Sequence, residues 1–127
     1  MNLAIDTNRY RDLRDGLPEA LTIIESASAV FVPFVVIAEL KIGFGQGARR
    51  ANNERLLENF LRKPAVQIAL PDELTLETYA SLFLDLKARG RPIPINDLWI
   101  AALCVQHGLT LYTRDKHFDH LPQVAQA

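Results

Sequence analysis

Residues 2–8 read NLAIDTN, a short apolar strand candidate from Asn2 to Ile5 that ends at Asp6. The segments after Asp6 decide how that strand is used. Thr7–Arg14 and Pro18–Ser26 read as helical segments separated by Gly16, with Leu17, Ala20, Leu21 and Ile24 at helical spacing. Val30–Val32 forms a second strand, stopped at Pro33, and Phe34–Phe44 follows as a helix closed by Gly43 and Gly45. Asn53–Arg62 reads as a helix with Leu56, Leu57, Phe60 and Leu61 facing inward, and Ala65–Ala69 as a third strand. A long helix is expected from Pro71 to about Arg89, its core-facing stripe made of Leu74, Leu76, Tyr79, Leu82, Phe83 and Leu86. After the loop 91–94, Asn96 or Asp97 is expected to cap a helix over Leu98–His107. That helix is apolar nearly all round, which predicts burial, and Gly108 closes it as a left-handed C-cap. Leu109–Thr113 is a fourth strand, and a fifth begins near Val124. Strands alternating with helices predict an α/β fold, a central, mainly parallel sheet of four to five strands flanked by helices.

A length of 127 residues fits a single domain over 1–127, and it suffices to bury a core without disulfide or structural metal. The composition, 49% apolar and 23% charged, is that of an ordinary globular protein. A net charge of −1 argues against a strongly basic nucleic-acid module held mainly by phosphate contacts, though not against a nuclease with a local basic rim. Cys104 is alone, so no internal disulfide forms and a reducing, cytoplasmic setting is expected. Asp6 and Arg9 fall where the apolar core of a signal peptide would lie. The longest apolar run, residues 29–38, contains Pro33 and is far short of the roughly 20 residues a membrane helix needs.

In open parallel sheets, ligands bind outside the carboxyl ends of the strands. Asp6 sits at such an end, and Asp115 lies just past another. Asp97 begins a crossover helix, which starts at the same edge. Glu39 is about one turn into the helix after Val32, and helical side chains lean toward the N-terminus, so its longer arm reaches back to that rim. Two carboxylates about 5 Å apart repel by roughly 3 kcal/mol at an effective dielectric near 20. A hard divalent cation removes that cost, and all-oxygen ligation suits Mg²⁺ or Mn²⁺. Such an ion supplies a nucleophilic water at neutral pH and stabilises charge on a phosphoryl oxygen, which fits phosphodiester hydrolysis. The plain alternative stands beside this: the chain has 15 acids, most of them surface charge, and Asp97 as an N-cap and Asp115 as a turn residue would need no metal.

Four blocks carry a resemblance. LAIDTN at 3–8, VVIAELKIG at 35–43, IPINDLWIAA at 93–102 and LYTRDKHF at 111–118 resemble the signature blocks of PIN domains, and among them those of the VapC-type toxin ribonucleases of bacterial toxin–antitoxin pairs. No single block is specific, but the four occur in order across essentially the whole chain. The resemblance implies a three-layer fold, Mg²⁺- or Mn²⁺-dependent endoribonuclease activity on RNA, a homodimer and a protein antitoxin as partner. It carries the catalytic and metal-binding positions over to Asp6, Glu39, Asp97 and Asp115, with Thr113 and Asn8 as supporting residues. Two features depart from it. Only nine residues follow Phe118, which leaves little room for a fifth strand, and Arg9 and Tyr10 stand in a stretch that is often small and apolar in relatives.

Arg114 and Lys116 flank Asp115 and are the best candidates for contact with RNA phosphates; the other arginines read equally well as helix-surface charge. His117 and His120, three residues apart, could ligate a transition metal, but with no cysteine or further histidine beside them they read rather as structural or surface residues. Asp119 could be a fifth acid near the metal but reads rather as a loop charge, Cys104 as a buried inert thiol, and Trp99 as filling the core or a dimer interface. The apolar segment 34–37 fits either the core or a groove for an antitoxin helix. Two other functions compete. One is a phosphatase with Asp6 as nucleophile, but that chemistry wants a second aspartate two residues on, where Asn8 stands. The other is a catalytically silent binding module, against which all four acids count.

Overall fold

The computed structural model describes all residues, 1–127. Four strands, β1 (Asn2–Ile5), β2 (Ala29–Pro33), β3 (Val66–Ala69) and β4 (Thr110–Tyr112), form one sheet in the order β3-β2-β1-β4. Every pairing is parallel. Six helices connect and cover it: α1 (Thr7–Arg14), α2 (Pro18–Ser26), α3 (Phe34–Gly45), α4 (Arg50–Leu61), α5 (Glu73–Ala88) and α6 (Ile95–His107). A 3₁₀ helix over Lys116–His120 follows β4. The expected α/β fold is therefore present with four strands. The fifth is a single bridge, in which the Leu111 N–H donates to the Ala125 carbonyl (2.7 Å) and the Leu111 carbonyl accepts from Ala127 (2.9 Å).

The core is built from the sheet and all six helices. Leu3, Ala4 and Ile5 of β1 and Leu111 and Tyr112 of β4 are almost wholly buried, as are residues 100–104 of α6. Parallel strands covered by helices on both faces lose water from both sides, which is why β1 reads as an unbroken apolar run. Gly108 ends α6 in the left-handed conformation (φ 63°), where a glycine meets no Cβ penalty.

Two expectations change, and one left open is settled. α6 begins at Ile95 with Pro94 at the N-cap, so neither Asn96 nor Asp97 caps it. Proline holds the extended backbone that precedes a helix and needs no N–H there, which frees the Asp97 carboxylate from capping. On α5 the buried positions are Thr75, Leu82 and Leu86, with Tyr79 half-buried between them, while Leu74, Leu76 and Phe83 are exposed. The steps of four, three and four from Thr75 to Leu86 define the stripe, and Thr75 enters it because Asp72 and Gln106 satisfy its hydroxyl. Val35 and Val36 are buried and Phe34 and Ile37 pack against the core, so segment 34–37 belongs to the interior. Trp99 fills space beside Phe34 and Tyr79, with ring centroids 5.8 and 4.2 Å away. Cys104 is buried, which pushes its thiol up to about 12 and leaves it unreactive.

Candidate functional site

The strand order turns back at β1, with β2 on one side and β4 on the other, and this opens a crevice at the carboxyl ends of β1 and β4. Ile5 pairs with Tyr112, so the next residues, Asp6 and Thr113, stand together at that edge. The Thr113 hydroxyl donates to Asp6 Oδ2 and accepts the backbone N–H of Asp115 at 3.0 Å. One hydroxyl thus joins the first and fourth acids. The other Asp6 oxygen accepts the Arg9 N–H at 2.9 Å and caps α1. Asp6 is 7% exposed, and these two bonds supply what water would otherwise give its carboxylate.

The remaining acids arrive from two helices and a turn. Glu39 reaches in from the second turn of α3 and accepts the Thr7 hydroxyl at 3.1 Å. Asp97 is the third residue of α6. Asp115 caps the 3₁₀ helix through the His117 N–H at 2.9 Å. Asp6, Glu39, Asp97 and Asp115 line a single polar cavity of about 80 Å³, together with Thr7, Asn8 and Ile100. Asn8 borders it from an exposed position, and the hydroxyl that bonds an acid belongs to its neighbour Thr7.

Crowding leaves an electrostatic mark. Burial pushes the Asp97 carboxyl up, and the charges of Asp115 and Glu39 push the same way, while a hydrogen bond with His117 pulls it partly back. His117 Nδ1 lies 2.8 Å from Asp97 Oδ2 and 3.0 Å from Asp115 Oδ1. The bond to Asp97, aided by both negative charges, raises the imidazole's affinity for a proton against a smaller opposing effect of burial. Hard oxygen donors, repelling one another in a cavity of about one ion and a few waters, fit a divalent cation. Thr7 was missed as a site residue in the sequence, and His117 was set aside there as a surface residue: Asp97 and His117 are twenty positions apart, and nothing in their spacing signals a contact. For Thr7, position immediately after the strand-end aspartate was the one available clue.

Beside the cavity, Asp12 is buried and paired with two arginines, Arg9 at 3.2 Å and Arg114 at 3.3 Å. The Arg9 guanidinium also lies 4.1 Å over the Tyr112 ring. Arg9 therefore turns its charge onto Asp12 and an aromatic face. Arg114 is half exposed, and Lys116 is exposed on the 3₁₀ helix. Asp119 accepts from Gln126 at 3.1 Å and the His120 carbonyl accepts from Arg89 at 2.6 Å, as befits a surface turn.

The PIN domain family pattern matches residues 4–124, and the chain belongs to that family. Its relatives place it among the VapC-type members. Ribonuclease VapC4 of Mycobacterium tuberculosis is 32% identical over 93 residues, 73% of this chain and 72% of that protein. Ribonuclease VapC5 of the same organism is 31% identical over 126 residues, 95% of this chain and 88% of the relative. Among solved structures, VapBC2 from Rickettsia felis bound to a DNA fragment from their promoter superposes with a TM-score of 0.88 at 22% identity, over 100% of this chain and 98% of that one, and this likeness speaks for the fold.

Proposed function

We propose that this chain is a metal-dependent endoribonuclease and the toxin of a type II toxin–antitoxin pair. The observation that carries the reading is the convergence of Asp6, Glu39, Asp97 and Asp115 on one small cavity at the strand edge. The ribonuclease names of VapC4 and VapC5 support the choice of RNA as substrate. In this reading the four carboxylates hold Mg²⁺ or Mn²⁺, which when bound supplies a nucleophilic water and stabilises charge on the phosphoryl oxygen. The chain's own residues do the rest. Thr113 and the Arg9 N–H fix both oxygens of Asp6, and the Thr7 hydroxyl orients Glu39. Arg114, steadied by Asp12, and Lys116 hold the RNA backbone beside Asp115. A silent binding module would have no use for four mutually repelling acids, and a phosphatase would lack its second aspartate at Asn8.

The antitoxin is assigned to an apolar groove of about 400 Å³ between α1, α2 and α4, lined by Tyr10, Leu13, Leu21, Ile24, Leu56 and Phe60 among others. Solved structures of toxin–antitoxin complexes with this fold support a protein partner. A homodimer goes with the same reading, and exposed Leu76, Phe83 and Leu84 on α5 give it an apolar surface to bury; sedimentation at twice 14.3 kDa is its test. No helix is long and apolar enough to cross a membrane, and the unpaired cysteine fits the reducing cytoplasm where RNA is met. The deciding experiment is RNA cleavage by the purified chain with Mg²⁺ or Mn²⁺. Cleavage should stop with chelator and in Asp6→Asn, and expression of the wild type alone should slow bacterial growth where Asp6→Asn does not. Cleavage that survives chelation, or equal growth at matched soluble levels, rejects the proposal.

A further inference from the structure

The four acids are all hard oxygen donors, yet a nitrogen stands among them. His117 Nδ1 is 2.8 Å from Asp97 Oδ2 and 3.0 Å from Asp115 Oδ1. One atom from each of the three residues falls within a single 4.8 Å cluster. In an octahedral shell with ligands at about 2.0–2.1 Å, neighbouring donors lie roughly 2.8–3.0 Å apart. The imidazole is therefore spaced from both carboxylates as an adjacent ligand would be.

We propose that His117 is itself a metal ligand, through Nδ1, and that it biases the site toward Mn²⁺ and other transition ions over Mg²⁺. This rests on the metal-dependent reading of the acidic cavity and goes beyond it in naming a fifth donor and a consequence for metal choice. Three features of the chain support it. The backbone holds the ring in place, since the His117 N–H donates to the same Asp115 that lies beside its Nδ1. The packing of Phe118, 1% exposed, anchors the 3₁₀ helix from which the ring projects. The side chain is 47% exposed, so Nε2 can keep its proton toward water while Nδ1 faces the acids. Carboxylates and water suit Mg²⁺, whereas an imidazole contributes little to Mg²⁺ and much more to ions later in the transition series. One nitrogen therefore changes which ion wins while leaving the charge of the ligand set unchanged.

Pulsed electron paramagnetic resonance of Mn²⁺ bound to the full chain tests the contact directly. The wild type should show ¹⁴N modulation from a coordinated imidazole, replaced by the ¹⁵N pattern when histidine is ¹⁵N-labelled. The chain has three histidines, and His107 sits at the far end of α6, about 18 Å along the helix from its start. His117→Gln should abolish the coupling, and His120→Gln should keep it. Competition of Mn²⁺ against Mg²⁺ should show the affinity ratio falling at least about tenfold in His117→Gln. Absence of nitrogen coupling in the wild type, or an unchanged ratio in His117→Gln, overturns the assignment. Should His117→Gln fail to fold, the labelled spectrum of His120→Gln decides, because His107 is then the one other histidine and lies at the far end of α6. Mn²⁺ that binds, is lost in Asp6→Asn and shows no nitrogen defeats only the His117 assignment. Failure to bind Mn²⁺ at all defeats the metal-dependent reading with it.

Discussion

Thr113→Val removes one hydroxyl while keeping the shape of the side chain. In the structure that hydroxyl has two partners: it donates to the buried Asp6 carboxylate and accepts the Asp115 N–H at 3.0 Å. A hydrogen bond to a charged group contributes about 1.5–3 kcal/mol, and stranding a partly buried N–H costs about 1 kcal/mol more. No cavity opens, because valine fills the same volume. The expected loss is therefore roughly 3 kcal/mol for the metal-free protein. With an unfolding entropy of about 2.1 cal/mol/K per residue, a chain of 127 residues changes by roughly 0.27 kcal/mol per degree, so Tm should fall by about 11 °C. Urea and thermal unfolding after chelation measure this. Thr113→Ser keeps the hydroxyl and should recover most of the difference. Saturating Mn²⁺ should narrow the gap between Val and Thr, because a cation then meets part of the need of Asp6. A loss below about 1 kcal/mol, or a serine variant as weak as the valine, would show that the hydroxyl does not join the two acids.

Asp97→Asn removes one member of a carboxylate pair within 4.8 Å, a repulsion of about 3.5 kcal/mol at an effective dielectric near 20, against which the bond to His117 loses its charge assistance. The metal-free variant should be as stable as wild type or more so, its Mn²⁺-induced rise in Tm should shrink, and RNA cleavage should vanish; intact metal binding and cleavage would falsify the shared site. Replacing Arg114 and Lys116 together with Ala should weaken RNA binding and reduce its log–log salt slope by about one to two units, and an unchanged slope would place the phosphates elsewhere. At the start of α5, the Thr75 N–H donates to Asp72, and that bond, with the Gln106 amide, holds the Asp72 carboxyl below its usual range. Its contribution to stability is then full above the ordinary carboxylate pKa and drains as pH falls through the lowered folded value. Asp72→Ser keeps the cap without the titration and should flatten that acid limb of a Tm-against-pH curve.

The fold was legible because its signals are local. Leu3–Ile5 is a short apolar run, Gly108 needs a left-handed backbone, and α6 is apolar nearly all round. The strand-edge argument also placed Asp6, Glu39, Asp97 and Asp115 around one crevice with no contact known, since each sits at a strand end or near the start of a crossover helix. Where the reading failed, local propensity competed with something non-local. Asp97 looked like an N-cap by residue type, but Pro94 sets the helix start three residues earlier. Leu74 and Phe83 looked like core by residue type, but the phase of α5 is set by Leu82 and Leu86 against α6. His117 looked like surface because Asp97, the carboxylate that bonds its ring, comes from a different element.

The acids do not have equivalent positions in this architecture. Asp6 caps α1 and Asp115 caps the 3₁₀ helix, so each has a carboxylate oxygen committed to the backbone, and Thr113 joins the two. Glu39 and Asp97 cap nothing; each is steadied by one side chain, Thr7 for Glu39 and His117 for Asp97. The site is thus two anchored carboxylates on the sheet edge and two arms delivered by helices. Loss of an anchor removes a helix cap as well as a metal ligand, and a cap contributes about 1 kcal/mol by itself. Substitution of an anchor by alanine therefore mixes folding with chemistry, whereas asparagine can still cap and removes only the charge. For the arms the distinction disappears, because neither side chain has a backbone partner to lose. Comparing Ala with Asn at Asp6 and at Asp97 then separates the two kinds of acid: Asp6→Ala should be less stable than Asp6→Asn without metal, while the two variants at Asp97 should differ little, and all four should fail to cleave RNA.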